Sequence, residues 1–136
     1  MPLNTQLADA TVNIQANALA TLCNGGLIRV YNGTQPATAN TALSGNTLGV
    51  TLTFGNPAFP AAVGGLLTAN AITPGTAVAD ITPTFARIFK SDGTTVIMDV
   101  SAGATGANLL LGAFTTGTLV GATSFTHDVL NSRSGL

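Results

Sequence analysis

Charge is what this sequence has least of. Nine of its 136 residues are charged, four Lys+Arg against five Asp, and there is no Glu. That is 7%, where a globular chain carries about a quarter. Tryptophan is absent, Tyr31 is the only tyrosine, Cys23 the only cysteine, His127 the only histidine and Lys90 the only lysine. Four cations make a poor electrostatic footprint for phosphates, which argues against nucleic acid as a partner. A single cysteine excludes an intrachain disulfide and a cysteine metal cluster. No run approaches the roughly 18 apolar residues of a membrane span. Met1-Pro2-Leu3-Asn4-Thr5 has neither a basic n-region nor an apolar h-region, so synthesis in the cytoplasm without a secretory signal is expected.

What is present is small and apolar or hydroxylated. Thr (22), Ala (21) and Gly (16) supply 43% of the chain, and hydrophobic residues 46%. That hydrophobicity argues against disorder, which pairs low hydrophobicity with high net charge. A chain of this mass exposes roughly 6,500 Å². Nine charges leave one per about 700 Å², against one per about 200 Å² on an ordinary domain. A standard interface takes about 800 Å² from each partner and depletes charge at its core. Such a surface suits a protein that lives in an assembly.

Residues 5–23 read as a helix. Leu7, Ala10, Ile14, Ala18 and Leu22 recur at spacings of three and four and predict its apolar face, widened by Val12 and Leu19. Asp9, Asn13, Gln15 and Asn17 then take the polar side. Asn4 or Thr5 is the expected cap, and Asn24-Gly25-Gly26 the stop.

The remainder predicts strands. Leu27–Tyr31 is the first, followed by a small, polar surface loop over 33–47. Leu48–Phe54 alternates as a second strand, ended by Pro57 and Pro60, and 65–72 is a third. Residues 85–90 and 95–100 flank Ser91-Asp92-Gly93-Thr94 as a hairpin, with Asp92-Gly93 the expected positive-φ loop. In that register Phe89 faces Val96, and Phe85, Phe89, Val96, Met98 and Val100 form a core face. Arg87 falls on that face opposite Met98 and must find a partner, a sheet end or an interface. Residues 101–108 read as a glycine-rich loop, Leu109–Leu111 as a short buried run, and 118–129 as a last strand anchored by Leu119, Phe125 and Val129. The expected architecture is one domain over 1–136, mainly β: a jelly-roll-like β-sandwich over 27–130 with one N-terminal α-helix at 5–23 and an exposed tail at 131–136.

No pattern carries chemistry. His127 is the only base near neutral pH, and Asp128 beside it points to the opposite face of a strand. Asp9, Asp80, Asp92, Asp99 and Asp128 are scattered, with Asp92 explained by the turn and Asp99 by an edge or solvent face. The glycines at 64–65 and 103–106 lack the strand–loop–helix context of a phosphate loop. Asn32-Gly33-Thr34 matches a glycosylation acceptor but reads as a turn. No catalytic, cofactor or metal residues are expected.

Three segments carry a family likeness: Asn24-Gly25-Gly26-Leu27-Ile28-Arg29-Val30-Tyr31-Asn32-Gly33-Thr34-Gln35-Pro36-Ala37, Leu67-Thr68-Ala69-Asn70-Ala71-Ile72, and Phe85 through Val96. Gly106-Ala107-Asn108-Leu109 and Thr123-Ser124-Phe125-Thr126 add to it, and the match ends before His127. In these segments the chain resembles small virion proteins of tailed bacteriophages and prophages. The family includes jelly-roll cement or decoration subunits that staple neighbouring capsid subunits. The resemblance implies no catalytic residues and no cofactor. It implies a place on the outer capsid surface of the virion, with the major capsid protein and the chain itself (homodimer or homotrimer) as partners, and neither nucleic acid nor membrane. A head-fibre base, a tail component and a glycan-binding β-sandwich are the alternatives. Residues 30–79 contain no formal charge. Interfaces are therefore expected on that stretch and on the helix, and the solvated side on the hairpin with Arg87, Lys90, Asp92 and Asp99.

Overall fold

A computed structural model describes residues 7–128. The expected caps Asn4 and Thr5, the first two residues of the helix expected at 5–23, the anchor Val129 and the tail at 131–136 lie outside them. The chain is mainly β with one helix near its start, α1 (Asp9–Leu22). Nine strands follow: β1 (Leu27–Tyr31), β2 (Leu48–Thr53), β3 (Leu66–Thr68), β4 (Gly75–Thr76), β5 (Phe85–Phe89), β6 (Val96–Gly103), β7 (Leu109–Leu110), β8 (Leu119–Val120) and β9 (Ser124–Asp128). Seven form a mixed sheet in the order β2-β1-β5-β6-β7-β9-β3, and β4 pairs with β8 in a second. This is consistent with the expected β-sandwich and single helix.

The long strand β6 joins the two halves of the large sheet. Its first part pairs antiparallel with β5, and Ala102–Gly103 pair parallel with β7. The strand thus runs into residues expected to be a loop. One face of β2-β1-β5-β6 carries Val50, Leu52, Ile28, Val30, Ala86, Ile88 and Val100, all buried, and packs into a core shared with Leu67, Leu109 and Phe125. Phe54, Phe59 and Phe125 meet there with ring centroids 5.4–5.7 Å apart. The 73–78 segment covers the outer edge of β2: Thr53 and Thr73 exchange both backbone bonds, and the Val78 amide donates to the Gly49 carbonyl. Such cover blunts an edge that would otherwise template pairing with other chains.

The hairpin differs from its expected register. Phe89 does face Val96, but a bulge between Ile88 and Phe89 then sets Ile88 opposite Met98 and Arg87 opposite Asp99. Phe85 and Phe89 therefore lie on the face opposite Val100 and Met98. Both faces of β5 are buried. Only Gly93 in the turn has positive φ, at 73°, and among the described residues none other than glycine does. Asp92 shapes the turn through its side chain, accepting the Thr94 and Thr95 amides at 2.8 Å and the Thr95 hydroxyl at 2.5 Å. Those bonds hold its carboxyl well below the usual range.

Two further strands are shorter than expected. The strand at 65–72 is reduced to Leu66–Thr68, and 118–129 divides into β8 and β9. Of its described anchors, Phe125 is buried and Leu119 is 68% exposed.

The helix has turned Ala10, Ile14, Ala18 and Leu22 of its expected apolar face outward, while Val12 and Leu19 of that face pack towards the core. Val12, Ala16 and Ala20 are buried, with Cys23 just beyond them, whereas Ile14 is 68% and Leu22 45% exposed and Ala10 and Ala18 face solvent. The physical reason lies in Asn13 and Asn17, expected on the polar side. Asn13 Oδ1 accepts the Gly65 amide at 2.9 Å and Asn17 Oδ1 the Ala62 amide at 2.8 Å. Asn24 continues the row, accepting the Ala58 amide at 2.8 Å. These three acceptors satisfy buried backbone donors of the 58–65 segment, which has no strand beside it to do so. The alanines at 16 and 20 let the helix backbone approach closely enough for the bonds to form.

Candidate interaction surface

The charged residues expected at the solvated side are partly withdrawn from it. Arg87 Nε donates to Asp99 Oδ1 at 2.7 Å and Nη2 to Oδ2 at 2.9 Å, with the two side chains 6% and 4% exposed. Asp99 is therefore not on an edge or solvent face, and the register bulge is what brings it to Arg87. The Asp99 hydrogen bond raises the Arg87 pKa against the opposing effect of burial. Arg29 lies directly opposite Arg87 on β1, a like-charge pairing that costs energy unless each charge has another partner. Arg87 has Asp99, and the Arg29 guanidinium sits 4.4 Å over the Phe89 ring. Tyr31 stacks on Phe85 at 5.5 Å beside them.

The 33–47 segment covers this second face of the sheet. Its ends are tied by Asn46 Nδ2, which donates to the Asn32 and Thr34 carbonyls, and by Asn32 Oδ1, which accepts the Thr47 amide at 2.8 Å. Thr84 Oγ1 donates to the Gly33 carbonyl at 2.7 Å, and Arg87 Nη2 reaches the Thr38 carbonyl at 3.5 Å. Asn32-Gly33-Thr34 is thus a structural turn, with Gly33 at φ 80°. The segment expected as a surface loop also covers a polar, aromatic layer of the sheet.

The residues weighed for chemistry are dispersed. Cys23 is fully buried and burial pushes its thiol up to about 11. His127 sits on β9 opposite Leu67; burial lowers its pKa, with neighbouring Asp128 acting the other way. Asp80 is exposed, and its Oδ1 accepts the Thr116 amide and hydroxyl, which lower its pKa. Gly64 and Gly65, at φ 60° and 80°, turn the chain between Val63 and Leu66. Among the described residues no three His, Cys, Asp or Glu side chains gather closely enough to hold a metal ion, and no helix is long and apolar enough to cross a membrane.

What the surface does gather is apolar. The exposed large hydrophobic residues among those described are Ile14, Leu22, Val63, Leu66, Val78 and Leu119. The first two lie on α1 and the next three within the charge-free stretch 30–79. Leu119 stands on β8 directly opposite Thr76 of that same stretch. Eight of the nine charges fall within the described residues, and the Arg87–Asp99 pair takes two of those eight out of solvent. By contrast all seven aromatic rings of the chain are under 10% exposed, from Phe85 at 0% to Phe114 at 9%. The asparagine row joins the two apolar regions, because Asn13 and Asn17 fasten α1 to the segment that carries Val63 and Leu66. Composition indicated which segments hold this surface; the individual exposed residues could not be read from it, since the periodicity of α1 fits two faces.

No family model, curated protein or solved structure matches this chain.

Proposed function

We propose that this chain is a non-enzymatic phage structural protein, a capsid cement or decoration subunit. It forms homodimers or homotrimers and binds the outer surface of the major capsid lattice in the virion. The observation that carries this reading is that exposed Val63, Leu66 and Val78 lie in the stretch without charge, and exposed Ile14 and Leu22 on the helix fastened to it by Asn13 and Asn17. Isolated exposed apolar residues are ordinary, but apolar residues concentrated where charge is missing mark interaction surfaces. The likeness of residues 24–37, 67–72 and 85–96 to small virion proteins names the kind of assembly.

The mechanism is linkage. A subunit that binds only the assembled lattice stabilises it by mass action, and several copies held together add avidity. Neutral contacts make this cheap, since few charges are desolvated on docking. A glycan-binding role would call for exposed aromatic rings against which sugars stack, and all seven rings are buried.

The test is reconstitution. Purified protein added to expanded heads that lack it is expected to bind at saturable sites and to raise their resistance to heat and pressure. Absence of binding, or heads that are fully resistant without it, overturns the reading. An electron-microscopy map of the particle distinguishes a capsid position from a fibre base or tail.

A further inference from the structure

The outward face of α1 carries four residues at regular spacing: Ala10, Ile14, Ala18 and Leu22. Successive members are four positions apart, so they form one ridge along the helix, alternating small and large. Ile14 and Leu22 are 68% and 45% exposed, and both alanines face solvent. Gln15 and two threonines fill the rest of the outward arc, and the helix has no charge beyond Asp9 in its first turn. A solvated helix ordinarily presents charged and polar residues on its outer face.

We propose that this face is a two-fold interface with a second copy of the same chain, the two α1 helices packing antiparallel. This deepens the proposed function by naming the surface that makes the oligomer, and it rests on that reading only for the claim that the chain self-associates. The arrangement of sizes selects the occupant. Antiparallel packing about the middle of the helix sets Ile14 opposite the partner's Ala18 and Leu22 opposite the partner's Ala10. Each large side chain then enters the space left by a methyl group, and the two-fold repeats the fit. Parallel packing would instead oppose Ile14 to itself and Ala18 to itself. The absence of charge along the ridge fits the same occupant, because no charged side chain has to be desolvated when the two copies pack.

The interface needs more than the helix alone. Fourteen residues give a helix about 21 Å long, and one helix pair alone falls short of the roughly 800 Å² per partner of a stable interface. The 60–66 segment, held against α1 by Asn13 and Asn17, adds Val63 at 78% and Leu66 at 42% exposure beside the ridge. Together they widen the footprint towards that value.

Sedimentation equilibrium of the full chain is expected to give twice the chain mass of 13.5 kDa. Ile14→Glu and Ala18→Lys, both at exposed positions, are each expected to halve that mass while leaving the circular dichroism and melting profile of the monomer intact. Mixing I14E with A18K is expected to restore a dimer containing one chain of each, since the antiparallel register brings the two opposite charges together. Leu119→Glu, at an exposed apolar residue away from the ridge, leaves the dimer unchanged. A monomeric wild type, an oligomer that survives both substitutions, or a mixture that stays monomeric overturns the proposal. Binding to heads is measured on the same samples. A dimer that behaves as described without binding heads overturns the cement reading alone, and a monomer that binds heads overturns the helix interface alone.

Discussion

Arg87 and Asp99 face each other across adjacent strands and are joined by two parallel hydrogen bonds of 2.7 and 2.9 Å, with almost none of either side chain in solvent. In a chain with nine charges, two are thus spent inside, beneath a loop of threonines and alanines. Removing one partner leaves the other charged and buried. Arg87→Met or Asp99→Leu alone is expected to cost about 3–5 kcal/mol, and the pair of substitutions together much less than the sum. Urea unfolding of the four proteins in a double-mutant cycle measures this coupling. Additive losses would mean that the pair does not act as a unit.

The asparagine row gives a second prediction. Asn24→Ala deprives the Ala58 amide of its acceptor, and Ala58 is fully buried. A loss of about 1–3 kcal/mol is expected from the stranded donor. Asn17→Ala should cost less, because that side chain lies nearer water. Asn24→Asp keeps an acceptor oxygen and should retain more stability than Asn24→Ala. Thermal unfolding ranks the three.

Glycine substitutions separate close approach from mere flexibility. A methyl group on Gly26 would be driven into the Phe89 carbonyl oxygen and would also lie only 2.9 Å from the Cys23 carbonyl oxygen. Gly112 has open space at the same position and no positive φ. Gly26→Ala is expected to destabilise strongly or prevent folding, while Gly112→Ala stays within about 0.5 kcal/mol of the parent. Equal melting temperatures for the two would contradict the packing of β1 against the hairpin.

Stability should depend on pH through half-buried His127 and fully buried Cys23. Burial lowers the His127 pKa, so the unfolded chain takes up its proton first and stability declines as pH drops below about 6.5. Burial raises the Cys23 thiol from 9.0 to about 11, so the unfolded chain loses its proton first and stability declines as pH rises from about 9 towards 11. His127→Gln should flatten the decline just below pH 6.5, leaving the more acid loss that goes with protonation of Asp80 and Asp92. Cys23→Ala should flatten the loss as pH rises between about 9 and 11. Urea midpoints across pH read both, and limbs unchanged by these substitutions would assign the dependence to other groups.

Much of the fold was legible where local chemistry is decisive. Asn24-Gly25 stops α1 because Gly25 adopts φ 65° at no steric cost, and β1 has the expected bounds. Val50, Leu52 and Phe54 are buried on one side as their alternation implies. The face of α1 was not legible, because an alanine-rich helix offers two four-spaced stripes of similar character. The one with Ile14 and Leu22 is the more hydrophobic. The one with Val12, Ala16 and Ala20 is flanked by Asn13 and Asn17, whose acceptors have partners 45 and 52 residues away. No window around the helix contains those partners. The bulge beside Phe89 was hidden in the same way, since a single extra residue exchanges every later partner of β6.

The sequence alone determined that charge would be scarce, that residues 30–79 would carry none, and that strands would follow one helix. Those are properties of composition and short-range periodicity, and they survive any packing. Only the tertiary structure decided which apolar residues reach solvent and which charges do not. Burial is a contest among distant surfaces, and here it is settled by backbone amides that needed acceptors and by an arginine that needed an aspartate.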